Sequence, residues 1–318
     1  MFKVSVIIPN YNHAPYLKQR IDSVLNQTFQ DFELIILDDC STDNSKEVIE
    51  QYRDNPKVSA IVFNENNSGS TFRQWKKGLE LAKGEYVWIA ESDDYCKSNF
   101  LEVAFSSLNN NTNALVFFCQ SYCVNEKCEV TGDLHFWTDV ITKFDWSNSF
   151  TVSGDLFVKE ALYNRNVISN ASAVLFRKEI AKKYIFSVVD YKMCGDWLFW
   201  GLIISEGFVI YNSSKMNFFR SHSYTTRLLN NYEKQTNFTL EQIRVVTKLM
   251  ETQKKEVKVI ISSLWYDLIG KTSLLTYATL LKLIRLQGLD TKSFFFLRFL
   301  RIKLRIFINS ISLGISRK

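Results

Sequence analysis

Four short apolar runs, Val4–Pro9, Phe32–Leu37, Val58–Phe63 and Tyr86–Ala90, are separated by segments of helical spacing. That alternation constrains the fold more than any other feature of the chain. Leu17, Ile21, Val24 and Leu25 mark a helix after the first run, Val48 and Ile49 sit in one after the second, and Arg73–Lys83 reads as the third. The pattern predicts βαβ units and a mostly parallel, Rossmann-like sheet flanked by helices, an α/β fold.

In open parallel sheets ligands collect outside the carboxyl ends of the strands. Three polar clusters fall there: Asn10-Tyr11-Asn12, Asp38-Asp39 and Glu91-Ser-Asp-Asp94. An aromatic ring can stack on a base and a carboxylate can accept from its N–H. The paired carboxylates Asp93 and Asp94 are hard oxygen ligands suited to Mg²⁺ or Mn²⁺ on a diphosphate. The plain alternative is an acidic turn capping the next helix. Together the clusters describe a nucleotide-diphosphate site. No G-x-x-x-x-G-K-[ST] run exists, and no G-x-G-x-x-G follows the first strand. Metal and basic side chains, rather than a backbone cradle, are therefore expected to hold phosphate.

The chain of 318 residues has three prolines and eleven glycines, so no linker composition marks a boundary. Its six cysteines are expected as free thiols. Cys119, Cys123 and Cys128 match no common zinc spacing. The first nine residues carry too short an apolar run for a secretory signal, which places the expected location in the cytoplasm. Charge is uneven: residues 241–318 hold fifteen Lys/Arg against five acids, leaving the body at −4 of a total +6.

The motifs Val4-Ser-Val-Ile-Ile-Pro-Asn-Tyr-Asn12, Ser23 through Asp39, Ser41-Thr-Asp43, Lys83-Gly-Glu-Tyr86 and Ser92-Asp-Asp94, with Gly78 and Ala82, follow in fixed order over about the first 95 residues. In that order they resemble the inverting family 2 glycosyltransferases of the GT-A fold. The resemblance implies that Pro9, Tyr11 and Asp39 hold a uracil or equivalent base. Asp93 and Asp94 would serve the donor ribose and a divalent ion, Mn²⁺ or Mg²⁺, with Arg73 or Lys76 supporting phosphates or sugar. Two departures stand out: Phe72-Arg-Gln-Trp-Lys-Lys-Gly78 where the family reads Ala-Arg-Asn before its glycine, and Glu91 where it has Asp. The resemblance also assigns the catalytic base to Asp196 in Met193-Cys-Gly-Asp-Trp-Leu-Phe-Trp200, the alternative being a plain helix cap. It sets His222 of Phe218-Phe-Arg-Ser-His222 on the metal or diphosphate, with Arg220 and Arg227 as phosphate contacts. The Gln-x-x-Arg-Trp motif of processive members is absent, implying one sugar per encounter.

The implied architecture is a catalytic domain over 1–230, donor-binding through 95 and acceptor-binding from 96, followed by a helical basic region over 231–318. Within it, Ser293–Ile308 sets Arg298, Arg301 and Arg305 along one side of a helix and Phe295, Phe299, Ile302 and Ile306 on another, a pattern that can lie on an anionic leaflet or fold back on the domain. The apolar stretch Leu274–Leu286 is similar in character. The expected partners are a nucleotide-sugar donor, a UDP-sugar by the resemblance, and a saccharide acceptor free or on a polyprenyl diphosphate. That places the chain in bacterial surface polysaccharide assembly at the inner face of the membrane, without nucleic acid. The rival readings are a sugar-nucleotide nucleotidyltransferase and an inactive nucleotide-sugar-binding protein.

Overall fold

The computed structural model describes residues 2–222 and 232–252. Arg227 and the stretches Leu274–Leu286 and Ser293–Ile308 lie outside the described residues.

In chain order the elements are β1 (Val4–Asn10), α1 (Ala14–Leu25), β2 (Phe32–Asp38), α2 (Ser45–Glu50), β3 (Val58–Phe63), α3 (Thr71–Leu81), β4 (Tyr86–Ile89), β5 (Tyr95–Cys96) and α4 (Phe100–Asn109). They continue with β6 (Ala114–Val124), β7 (Val130–Asp133), α5 (His135–Thr138), β8 (Phe150–Ser153), α6 (Gly154–Phe157), β9 (Val174–Arg177), α7 (Lys178–Tyr184), α8 (Gly195–Ile204), β10 (Phe208–Arg220) and α9 (Tyr232–Thr252). The sheet order is β3-β2-β1-β4-β9-β6-β10-β5, with β7 added to β6 and β8 to β10.

The expected parallel core is present: β1 pairs in parallel with β2 and β4, and β2 with β3. Every residue of β1 and β2 is buried. Strands covered on both faces read as continuous apolar runs, which is why Val4–Pro9 and Phe32–Leu37 show no alternation. Beyond β4 the sheet turns mixed. Strand β9 inserts antiparallel between β4 and β6, Leu175 lying opposite both Trp88 and Phe117.

Strand β10 runs from Phe208 to Arg220, and Asn212-Ser-Ser-Lys215 is taken up by register shifts against β6 rather than by a turn. Helix α8 is buried nearly all round. Phe176 of the sheet packs on Phe199 and Trp200 on one side. On the other, α9 comes so close that a Cβ at Gly201 would lie 2.5 Å from Leu249 Cδ2. Helices α8 and α9 belong to one compact unit. Among the described residues no helix is long and apolar enough to cross a membrane.

Candidate active site

At the end of β1, Pro9 is buried beside Leu37, and the chain then turns so that Tyr11 is 47% exposed at the rim. The turn is locked. Asn12 takes a left-handed φ of 57°, a conformation Asn tolerates better than most side chains. Its Oδ1 accepts from Thr42 N at 2.7 Å, and its own N donates to Ser41 Oγ at 2.9 Å. One residue beyond β2, Asp39 is buried and saturated. Oδ1 accepts from Asn64 Nδ2 (2.6 Å), Ser68 N (2.9 Å) and Gln74 Nε2 (2.7 Å), and Oδ2 from Ser68 Oγ (2.7 Å). Four donors meet roughly four lone-pair sites. The Ser68 hydroxyl, which donates to Oδ2, has the Ser70 carbonyl 3.2 Å away as an alternative acceptor.

The two adjacent carboxylates have opposite surroundings. Asp94 is 2% exposed, with Oδ2 accepting from Asn170 Nδ2 at 2.8 Å and Oδ1 from Arg220 N at 2.9 Å. Burial, then the Asp93 charge, pushes its carboxyl up to about 6. Its oxygens tie β10 to the end of β4. Asp93 instead faces imidazoles: Oδ2 lies 3.0 Å from His222 Nε2. Burial raises this carboxyl, but the hydrogen bond with His222 and the neighbouring His13 outweigh it and hold it below its ordinary value.

One ring nitrogen each of His13 and His222 and one oxygen of Asp93 lie within 4.8 Å of one another. His13 is fixed by a 2.8 Å contact between Nδ1 and Ser92 Oγ, and burial lowers its pKa against the pull of Asp93. Its sequence gives little warning. It stands just past the Tyr11 turn, one of three histidines in the chain, and carries no motif of its own.

Arg220, expected on phosphate, is a buried strut. Nε donates to the Asp93 carbonyl (2.7 Å), Nη1 to the Asn125 carbonyl (3.1 Å) and Nη2 to Gln19 Oε1 (2.7 Å), and the guanidinium lies 4.7 Å from the Tyr16 ring centre. Arg73 and Lys76 also point elsewhere. Arg73 is exposed, 3.8 Å from Asp190, while Lys76 meets Glu80 at 3.3 Å and the Phe186 ring. Helix α3 sends Gln74 and Trp75 inward instead, Gln74 to Asp39 and Trp75 Nε1 to Glu91 Oε1 at 2.9 Å. Burial, reinforced by Asp93, pushes Glu91 up to about 8.

Asp196 occupies the first turn of α8, where the helix dipole favours a carboxylate. Its Oδ2 accepts from Asn166 Nδ2 at 2.9 Å. The same short stretch, Asn166 to Ser172, also supplies Asn170 to Asp94 and the Ser172 hydroxyl to Glu91 N (3.0 Å). One loop thus braces both acidic elements, which sequence reading missed because its side chains are small, neutral and without motif. The loop before α8 is held by Glu241 of α9, which accepts from Lys192 N, Met193 N and Cys194 N at 2.7–2.9 Å.

Comparison with known proteins bears on the family and the fold. The sequence model described as Glycosyl transferase family 2 matches residues 5–171. The putative teichuronic acid biosynthesis glycosyltransferase TuaG of Bacillus subtilis (strain 168) is 41% identical over 99 residues, 31% of this chain and 39% of that protein. Glycosyltransferase GlyG of Streptococcus pneumoniae serotype 4 is 36% identical over 105 residues, 33% of this chain and 35% of that protein. The chain therefore spans little more than a third of the length of these relatives. S. aureus TarS 1–349 in complex with UDP superposes with a TM-score of 0.56 at 21% identity, covering 78% of this chain and 65% of that one. The mannosyltransferase PcManGT from Pyrobaculum calidifontis, in complex with GDP-Man and Mn²⁺, gives 0.56 at 13% identity, covering 91% and 81%. These structures share its mixed α/β GT-A fold. With one family model matching more than half of its length, the chain belongs to glycosyl transferase family 2.

Proposed function

We propose that the chain moves one sugar, with inversion, from a nucleotide-diphosphate sugar to an acceptor hydroxyl. The observation that carries the reading is the 3.0 Å pairing of Asp93 with His222, which joins two motifs 129 residues apart at the carboxyl end of the sheet. Tyr11 offers a ring for the base to stack on, and Asp39 the acceptor for its N–H. Asp93 and His222 present an oxygen and a nitrogen suited to a divalent ion, which when bound would neutralise charge on the departing diphosphate. Asp196 takes the proton of the acceptor hydroxyl as that oxygen attacks the anomeric carbon, help worth roughly 10²–10⁴ in rate. Asn166 holds the carboxylate in place at the start of α8.

The relatives' printed names, teichuronic acid biosynthesis and poly(ribitol-phosphate) glycosylation, support an acceptor in a bacterial surface polymer. UDP and UDP-GlcNAc in the TarS structures favour a UDP-sugar donor, and GDP-Man in PcManGT keeps guanine donors in the panel. Incubating the protein with a panel of nucleotide sugars, each with Mn²⁺ or EDTA, should give nucleoside diphosphate from one donor class only, and none in EDTA. Release undiminished by EDTA would sink the metal assignment. The basic segment 293–308 suits an anionic membrane carrying the acceptor. The protein should therefore sediment with anionic vesicles and stay in the supernatant with neutral ones, whereas equal behaviour with both would remove this part of the proposal.

A further inference from the structure

The metal reading above uses two residues, yet the structure places a third ligand beside them. We propose that His13 completes the centre, making it a two-histidine, one-carboxylate site that selects Mn²⁺ over Mg²⁺. The inference rests on the metal reading of Asp93 and His222 and adds to it a ligand and a selectivity.

The ligand atoms of His13, Asp93 and His222 fall within 4.8 Å of one another, close enough for one ion to meet all three after small side-chain movements. They come from three separate supports: the turn leading into α1, the end of β4 and the end of β10. Ser92 Oγ fixes the His13 ring through a 2.8 Å contact at Nδ1, the kind of outer-shell support that metal-bound imidazoles use. The two imidazoles meet edge to face, ring centres 5.2 Å apart, and Tyr16 packs against His222 at the same separation. Rings confined in this way lose little freedom on coordination.

Two nitrogens in a three-residue set alter which ion is favoured. Imidazole suits transition ions, whereas Mg²⁺ keeps oxygen ligands and most of its waters. Three protein ligands also leave coordination positions open, which diphosphate oxygens can fill.

The test is equilibrium binding of the metal alone to the full chain, without nucleotide. Free Mn²⁺ is followed by electron paramagnetic resonance, Mg²⁺ is added as competitor, and nitrogen couplings to bound Mn²⁺ are counted by pulsed methods. Wild-type protein should bind Mn²⁺ with two coupled nitrogens and release it only to a large excess of Mg²⁺. His13→Ala should lose one coupling and at least about tenfold in Mn²⁺ affinity, the least that loss of even an outer-shell partner commonly costs. A single coupled nitrogen in the wild type overturns the proposal without any variant, so a misfolded His13→Ala does not protect it. Loss of binding in Asp93→Asn alongside undiminished affinity in His13→Ala also removes His13 while leaving the two-residue reading intact. Failure of the wild type to bind Mn²⁺ at all removes both.

Discussion

Neighbouring carboxylates at the end of β4 are separated in role by surroundings alone. Asp94 is enclosed by Asn170 and the Arg220 amide and fastens two strands, while Asp93 turns to His13 and His222. Their sequence, Asp-Asp, reads the same for both, so the partition was not legible before the fold. Asp93, His222 and Asp196 stood out because each sits in a motif, and Tyr11 because it follows a strand. Gln74, Trp75 and Asn166 did not, since a neutral side chain becomes informative only once its partner is known. Glu91 carries a pH prediction. An ordinary Glu titrates near 4.5, but here burial raises the carboxyl to about 8, so between those values the native state holds a proton the unfolded chain has released. Stability from this group is full below about 4.5 and is lost as pH rises toward 8. The shifts of Asp94 and His13 are exhausted by about pH 7, so from 7 to 8 the destabilising slope among these groups comes from Glu91. The Cys128 thiol, which burial raises but Arg220 and Gln19 hold below its ordinary value, contributes with the opposite sign. In EDTA, chemical denaturation of the wild type should weaken across that interval by at most about 1.4 kcal/mol per pH unit. Glu91→Gln should abolish this destabilising slope. An equal slope in both proteins would show that Glu91 is ionised in the native state.

Helices and strands of the second half set where the proposed base stands. Glu241, near the middle of α9, gathers three backbone N–H groups of the loop that leads into α8. Bonds to a charged acceptor are typically worth about 1.5–3 kcal/mol each, though part of that survives in an amide. Glu241→Gln, which keeps one acceptor oxygen, should destabilise the protein by roughly 1–3 kcal/mol. It should also lower kcat more than it weakens donor binding, because the loop carries Asp196 and the donor groups lie on β1, β2 and β4. Thermal melts and steady-state kinetics together check this, and an unchanged melt would show the three bonds to be dispensable. The element that holds this loop lay in the stretch assigned from composition to a basic tail. Net charge averaged over 78 residues hid one acidic side chain with a defined partner. The length of β10 was hidden for a related reason, as Asn-Ser-Ser reads locally as a turn and only the long pairing with β6 keeps it extended.

Across the whole molecule, topology brings together groups that sequence keeps far apart. The parallel half was legible, because β1, β2 and β4, buried along their whole length, leave continuous apolar runs. The mixed half was not: β9 enters between β4 and β6 through pairings dozens of residues apart, and nothing local announces them. The chain belongs to glycosyl transferase family 2, and the proposed roles of Asp93, His222 and Asp196 make the division of labour testable. The most direct measurement is sugar transfer by Asp196→Asn with the donor found in the panel, taken together with the affinity of the variant for that donor. The account predicts a loss of roughly 10²–10⁴ in turnover at near-normal donor affinity. Near-normal turnover in the variant would contradict it.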